Sequence, residues 1–542
     1  MIFLVTLLTA VLLTIVLIPV LSSAAIRYNA VDLPNERKVH TRPIPRIGGL
    51  AMAAGTFIPL LYVFRGNAFL VAYLAGAGVL VAFGLVDDFR ELSPKVKFAG
   101  QILAAFIAVF HGGVVIRSLG TLLPDGWLLP EWLAMALTLL VIVGVTNAIN
   151  LADGLDGLAG GISLLMFAGI GYLAYLAGNA IIGLICLAIG GALFGFLRFN
   201  THPATIFMGD AGSQFLGFSV VTLAIALTQG TRAYSPLLPL LLVGFPVLDT
   251  LTVMITRIVQ GRSPFTADKN HFHHHLLQLG FLHPESVLII YVVQTLLVIA
   301  ALFLRYHSDW LLLLGYLLFC GGVLAVFTLA DRTGWRPRGL EQFNLHIGQR
   351  IRELRDHGRI IKNFFPLFSV TVPLLLFVTC VRPMELPPFV TCAAGLFGVV
   401  ILTLVVCGRQ WLMPVLRLAI YLLIPCAVYF GDVSRSAWQD GMGLSLYNAS
   451  FGLMALLMIV ISRFSRRQEG FKSTPLDFLI VMLAVVAPNL PVQRLNEYQL
   501  GMTAARIIML YFSFEVLFAE LRGKSFPISV LTASSLLVMA FH

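Results

Sequence analysis

The sequence predicts an all-α polytopic membrane protein, with about 11 helices in a first region and about 7 more in a second. Three observations predict it. The 542 residues are 58% hydrophobic and 11% charged, a balance outside that of water-soluble domains. Apolar runs of roughly 17 to 22 residues recur along the whole chain, each enough to cross about 30 Å of hydrocarbon as a helix. The runs do not alternate polar and apolar residues, which excludes a membrane barrel.

Taken in order, the spans of the first region are read at 2–20, 48–64, 67–86, 98–116, 128–149, 161–177, 180–198, 212–228, 235–256, 286–305 and 309–329. The first, MIFLVTLLTAVLLTIVLIPVL, has neither a basic n-region nor a small-residue cleavage site, so it is read as a retained helix. The second region gives 364–381, 388–407, 411–430, 446–462, 475–491, 504–520 and 526–541. Six cysteines lie inside apolar runs without CxxC spacing, as free thiols do.

Charge orients the chain. Connections after odd-numbered spans carry Arg27, Arg37, Lys38, Arg42, Arg46, Arg90, Lys95, Lys97, Arg198, Arg257, Arg262 and Lys269. Those after even-numbered spans carry Arg65, Arg117, Arg232 and Arg305. The positive-inside rule then places the odd loops in the cytoplasm and the N-terminus outside. The net charge of +10 is explained by this bias and by the lipid bilayer, and calls for no nucleic acid. Residues 331–363 hold eight Lys or Arg and divide the chain into a membrane domain at 1–330, a basic linker or interfacial helix at 331–363, and a membrane region at 364–542. Within the linker Phe343, Ile347, Ile351 and Leu354 recur at helical spacing, as an amphipathic helix requires.

Charged and amide side chains in or beside spans are costly and mark functional positions. LVDDFRELSPKVKF ends the third span with Asp87 and Asp88 and opens the fourth with Lys97. Two adjacent carboxylates suit a divalent cation or a base tuned by its neighbour, although an interfacial stop signal would also explain them. TNAINLADGLDGLAGG ends the fifth with Asn147, Asn150, Asp153 and Asp156. Asp153 and Asp156 are three apart, so a helical turn would put both on one face. FNTHPATIFMGDAGSQFLGF supplies Asn200, Phe207 and Asp210, the last where a helix begins, either as a plain N-cap or beside amides able to hold phosphate. The ninth span carries Asp249 and, about 12 Å further along a helix, Arg257.

ADKNHFHHHLLQLG follows it, with Asp268, His271, His273, His274 and His275 in a cytoplasmic loop. Zinc is one reading, but HFHHH lacks the i, i+4 pair and nearby cysteines. Hard carboxylates elsewhere favour Mg2+, leaving the histidines and Arg257 as donors to phosphate. The first loop, VDLPNERKVHTRPIPRIGG, adds Asp32, Arg37, Lys38 and His40. Every cluster follows an odd-numbered span, so all share one side of the membrane. Carboxylates, a metal, amides and cations on one face are the inventory of phosphoryl transfer. A transporter is the rival class, but its charges belong at the midplane with repeat symmetry.

These motifs, in this order over roughly the first 330 residues, resemble those of the polyprenyl-phosphate N-acetylhexosamine-1-phosphate transferases. D-x-P-x-x-R-K-x-H, the DD pair, N-x-x-N-x-x-D-G-x-D-G-L-A and F-M-G-D-x-G-S are shared across that superfamily, including its phospho-N-acetylmuramoyl-pentapeptide transferases. The ending D-x-x-H-x-H-H, Asp268 to His274, resembles the undecaprenyl-phosphate N-acetylglucosamine-1-phosphate transferase branch. The resemblance implies transfer of a sugar-1-phosphate from a UDP-N-acetylhexosamine to a polyprenyl phosphate, releasing UMP, at the inner membrane of a bacterium. It further implies that Asp210, with Asp153, binds Mg2+, with Mn2+ as the alternative ion. Asp87 becomes the base that activates the lipid phosphate and Asp88 its partner. Gly154, Leu155, Asp156 and Phe207 line the uracil site, and Asn150, Asp153 and Asn200 organise nucleotide and metal. Lys97, Arg257, His271, His273 and His274 face phosphates or sugar. A homodimer is left open, and the helices after about residue 340 inherit no motif.

Overall fold

A computed structural model of the protein describes residues 2–28, 31–32, 43–63, 66–124, 126–231, 233–263, 271–336, 359–407, 411–434, 442–464, 500–520 and 526–542. The chain forms two compact units, Met1–Arg338 and Gly339–His542. Among the described residues 11 helices are long and apolar enough to cross a membrane, and the chain is a multi-pass membrane protein. The expected interfacial helix at 343–354, the span at 475–491, Arg37, Lys38, His40, Arg42, Asp268 and Lys269 lie outside the described residues.

The first unit contains α1 (Ile2–Arg27), β1 (Val31–Asp32), β2 (Ile44–Pro45), α2 (Gly48–Val63), α3 (Ala68–Phe89), α4 (Pro94–Phe110), α5 (Glu131–Ala152), α6 (Leu158–Leu176), α7 (Ala180–Asn200), α8 (Gly209–Gly230), α9 (Leu238–Leu242), α10 (Gly244–Val259), α11 (Phe272–Leu279), α12 (His283–Leu304) and α13 (Asp309–Thr333). Local chemistry sets several boundaries. Asn67 and Asn179 cap α3 and α7 by accepting from the amides of Leu70 and Ile182, and Pro94 opens α4, where a missing N–H costs nothing. The strands pair antiparallel, Val31 with Pro45 and Asp32 with Ile44.

The hub is α8. Its apolar window is 94% buried against 11% for α13, and it packs on α2, α3, α5 and α6. At Gly84 of α3 a Cβ would lie 2.4 Å from Ala211 Cα. Only glycine allows this backbone approach, and it sets Asp87 and Asp88, one turn further on, beside the start of α8.

Two sequence expectations are corrected. The span at 235–256 is not one helix but α9 and α10, broken at Val243. Pro246 has no N–H to offer the carbonyl of Leu242 four residues earlier. Gln294 of α12 donates to that carbonyl instead, at 2.8 Å, and Tyr316 of α13 donates to Gly244 O at 2.8 Å. A broken helix at membrane depth persists where neighbours satisfy its freed groups in this way. The histidine stretch is likewise not a loop. His271 is the N-cap of α11, and Gly280, at φ +106°, ends it.

The second unit contains α14 (Arg359–Val381), α15 (Pro388–Cys407), α16 (Leu412–Val433), α17 (Met442–Phe464), α18 (Leu500–Glu520) and α19 (Phe526–Ala540). Within it α19 packs against α14 and α15, and α18 against α16 and α17.

Candidate active site

Four acidic side chains and one lysine converge where α3, α4, α5 and α8 meet. Lys97, on the first turns of α4, places Nζ 2.6 Å from Asp87 Oδ2 and 2.8 Å from Asp210 Oδ2. The amide of Leu92 donates to Asp87 Oδ1 at 2.7 Å, so the αR-to-loop exit of α3 fixes the carboxylate. Asp88 points the other way round the helix. It accepts from the amides of Asp210, at 2.9 Å, and Ala211, at 3.3 Å. It thereby satisfies two of the free N–H groups at the start of α8. The adjacent pair thus divides its work: Asp87 faces the lysine, and Asp88 anchors the helix that carries Asp210.

Behind Asp210 runs an amide relay that joins Asn147, expected from the sequence, to the buried Gln101 and Gln214, which were not. Gln214 donates to Asp210 Oδ2 at 3.5 Å, Gln101 donates to Gln214 at 3.3 Å, and Asn147 donates to Gln101 at 2.6 Å. Polar side chains inside otherwise apolar spans were the available signal. Ser213 donates to Asn150 Oδ1 at 2.6 Å, which places Asn150 within this frame.

Asp153 ends α5, and residues 154–157 form a turn before α6. The expected helical turn placing Asp153 and Asp156 on one face is therefore absent, because Gly154 and Gly157 interrupt it. Asp153 keeps company with Asp210 and Asp156. Burial pushes its carboxyl up to about 7, and the charges of Asp210 and Asp156 add to the effect. Asp156 turns instead to the loop after α7, where Oδ2 accepts from His202 Nδ1 at 2.8 Å and from the amide of Ala204 at 3.1 Å. Burial alone would lift Asp156, but these bonds hold it below the ordinary carboxylate range.

Several groups pin the 153–157 turn. Asn200 accepts from Gly157 N at 3.0 Å and donates to Ile206 O at 2.9 Å, coupling two loops. Tyr291 of α12 donates to Gly157 O at 2.6 Å. His273 lies so close that a Cβ on Gly154 would sit 2.2 Å from its Nε2. That nitrogen is buried without a hydrogen-bond partner, and burial pushes the imidazole down to about 3, with His274 adding to it. His273 is neutral. His271 donates from Nδ1 to Asp249 Oδ2 at 2.9 Å, and Phe272 N donates to Asp249 Oδ1 at 2.8 Å, so Asp249 of α10 orients the start of α11. The rings of His273 and His274 lie 4.2 Å apart, while His275 turns its edge to Phe327 of α13. Arg257 is buried on α10. Leu155 is buried, and Phe207 anchors its loop by donating to Pro45 O at 2.8 Å and accepting from Gly48 N at 2.9 Å.

A single face thus joins clustered carboxylates with lysine and imidazole, which is the equipment for handling phosphate oxyanions. The comparisons with known proteins point the same way. A family model described as glycosyl transferase family 4 matches residues 70–228. The chain is 37% identical over 336 residues to the "Probable undecaprenyl-phosphate N-acetylglucosaminyl 1-phosphate transferase" of Bacillus subtilis (strain 168), covering 61% of this chain and 91% of that protein. It is 31% identical over 333 residues to the undecaprenyl-phosphate alpha-N-acetylglucosaminyl 1-phosphate transferase of Escherichia coli O157:H7, covering 60% and 89%. It is 38% identical over 303 residues to the decaprenyl-phosphate N-acetylglucosaminephosphotransferase of Mycolicibacterium smegmatis (strain ATCC 700084 / mc(2)155), covering 49% and 73%. With 91% of the first of these relatives spanned, the chain belongs to glycosyl transferase family 4, in the branch of the undecaprenyl-phosphate N-acetylglucosaminyl 1-phosphate transferases.

Proposed function

We propose that the protein transfers N-acetylglucosamine-1-phosphate from UDP-N-acetylglucosamine to a polyprenyl phosphate, releasing UMP and starting a cell-surface polysaccharide. The reaction takes place at the cytoplasmic face of a bacterial inner membrane, with the N-terminus outside. The relatives' named activities support this reading, and the observation that carries it is the ammonium of Lys97 held between Asp87 and Asp210.

The donor set fits a hard divalent cation. Asp87, Asp153 and Asp210 set three carboxyl groups against the single ammonium of Lys97, and their donors are oxygens, as Mg2+ prefers. Asp210 and Asp153 would hold Mg2+, or Mn2+ in its place. The ion supplies neutralisation of oxyanion charge on the diphosphate.

The chain's own groups do the rest. Asp87 takes the proton of the lipid phosphate, and the freed oxygen attacks the phosphorus next to the sugar. The bond from that phosphorus to the bridging oxygen of UMP breaks, and the sugar keeps its C1–O–P linkage. Lys97, able to exchange its carboxylate partners for phosphate oxygens, follows the developing charge. His271, His273, His274 and Arg257 face the donor's phosphates and sugar, and residues 154–156 with Phe207 hold the uracil.

The test is UMP release by the purified full chain with polyprenyl phosphate and Mg2+, run with UDP-N-acetylglucosamine and UDP-N-acetylgalactosamine. Release with the first and its loss in Asp210→Ala at unchanged melting temperature are expected. No release from either sugar nucleotide would end the reading.

A further inference from the structure

Lys97 and Asp210 form one rung between α4 and α8, with Nζ 2.8 Å from Oδ2. About one helical turn deeper along each helix, Gln101 and Gln214 form a second, Nε2 to Oε1 at 3.3 Å. The first rung is charged and movable, since in the proposed reaction Lys97 goes over to phosphate oxygens. The second is neutral and shut away: Gln101 is 3% exposed and Gln214 2%, so water cannot stand in for either amide.

The second rung also has a direction. Asn147 Nδ2 donates to the main-chain carbonyl of Val143 at 2.9 Å, and a carbonyl can only accept, so this amide cannot be turned over. The same NH2 donates to Gln101 Oε1 at 2.6 Å, and Gln101 Nε2 donates back to Asn147 Oδ1 at 3.2 Å. The other N–H of Gln101 goes to Gln214 Oε1. With its oxygen taken, Gln214 turns its NH2 to Asp210 Oδ2, at 3.5 Å. One carbonyl of α5 thus decides, through side chains on three helices, that the group behind Asp210 is a donor. The reciprocal Gln101–Asn147 pair would by itself join α4 to α5, as buried amides do between membrane helices. It does not require a third amide one turn below Asp210.

When Lys97 leaves for phosphate, Oδ2 keeps the amide, and the carboxylate cannot swing about its Cβ–Cγ bond without breaking that contact. An amide holds the acid without bringing a positive charge to compete with a cation. We propose that Gln214, its polarity set by Gln101 and Asn147, is a positioning residue that keeps Asp210 oriented for the divalent cation while Lys97 is engaged elsewhere. This rests on the functional reading above and deepens its metal site, where the groups that orient a ligand tune affinity along with the ligand itself.

Mn2+ binding to the purified full chain, followed by the electron paramagnetic resonance signal of the free ion, tests this apart from turnover. Gln214→Met, of similar length but without a donor, should weaken Mn2+ binding about three- to tenfold, the size of one hydrogen bond to a charged group. Gln101→Met should weaken it by less, and adding Gln101→Met to Gln214→Met should change nothing further, because Gln101 acts through Gln214. Lys97→Met should enlarge the effect of Gln214→Met, since the amide is then the donor left on Oδ2. Gln214→Asn keeps an amide in the span but is one carbon too short to reach Asp210. It should show the same loss, and it serves if Gln214→Met fails to fold. Unchanged Mn2+ affinity in both Gln214 variants, with only a lower metal-free melting temperature, makes the amides packing groups and overturns the inference while wild-type UMP release stands. Effects of Gln101→Met and Gln214→Met that add independently overturn it equally. A wild type that neither binds Mn2+ nor releases UMP overturns the functional reading and this inference together.

Discussion

Lys97 Nζ lies 2.6 Å from Asp87 and 2.8 Å from Asp210, so one cation from α4 joins acids delivered by α3 and α8. Removing it leaves carboxylates in contact with nothing to offset them and takes away the mobile positive charge nearest the reacting phosphates. Lys97→Met should lower UMP release by about 10²–10³-fold, the size of effect seen when one charge-stabilising donor is lost. Lys97→Arg should recover part of it. Steady-state UMP release, with a melting curve for each variant, makes the check, and a Lys97→Met enzyme of wild-type rate would remove the lysine from the mechanism.

The neighbouring acids should separate by the kind of loss they cause. Asp88 accepts from two amides at the start of α8, so Asp88→Ala removes a cap worth about 1–2 kcal/mol and should lower the melting temperature as well as the rate. Asp87 bonds one loop amide and the lysine. Asp87→Asn should abolish turnover while leaving the melting temperature close to wild type. Thermal unfolding and UMP release on both variants decide this, and the opposite ranking would exchange the two roles.

Asp153 gives a pH dependence of definite sign. Its carboxyl, pushed up to about 7 by burial with Asp210 and Asp156 adding, holds its proton more tightly in the folded chain than in the unfolded one. Its contribution to the metal-free protein's stability is therefore present below the ordinary carboxylate range and fades as pH rises through about 7. A divalent cation competes for the same oxygen, so apparent Mg2+ affinity should climb between about pH 6 and 8 as the proton leaves. Asp153→Asn should flatten both trends. Melting curves across pH with and without Mg2+ measure them together, and an Mg2+ affinity independent of pH would take Asp153 out of the metal site.

Much of this site is legible in the chain because membrane spans tolerate few charges. Asp87, Lys97, Asp153 and Asp210 stand out against apolar neighbours, and one-sided clustering brings them to a common face. What one sequence conceals is direction and partnership. Asp87 and Asp88 are indistinguishable as letters, yet a helix turns successive residues by about 100°, which sends one to a lysine and the other to an amide pair. The break between α9 and α10 is hidden for a similar reason. Pro246 is visible, but whether a helix bends or parts depends on Gln294, 48 positions later, reaching the released carbonyl of Leu242. His202, in the loop after α7, and His283, the first residue of α12, reveal nothing until the fold stacks their rings.

The second unit has its own buried charge problem, and it makes a prediction free of the enzyme reading. Asp432 meets Arg382 at 3.0 Å and Arg506 at 2.6 Å, with Thr503 donating to it at 2.7 Å and Asn448 accepting from Arg506 at 2.7 Å. The guanidinium carbons of Arg382 and Arg506 also lie 4.8 and 5.2 Å from the centre of the Tyr447 ring. Arg382 is 4% exposed and Arg506 2%, so neither cation can turn to water if the carboxylate goes. Breaking such a group by one member costs about 3–5 kcal/mol, whereas replacing all of it with apolar residues of similar volume is near neutral or stabilising. Asp432→Leu should therefore lower the unfolding temperature of the second unit sharply. Arg382→Met, Asp432→Leu and Arg506→Met together should bring it back to or above wild type. Limited proteolysis during a thermal ramp, with fragments assigned to residues after 339, reads this out. A triple variant as unstable as the single one would mean that the ionic group itself, rather than the avoidance of unpaired buried charge, holds α14, α16 and α18 together.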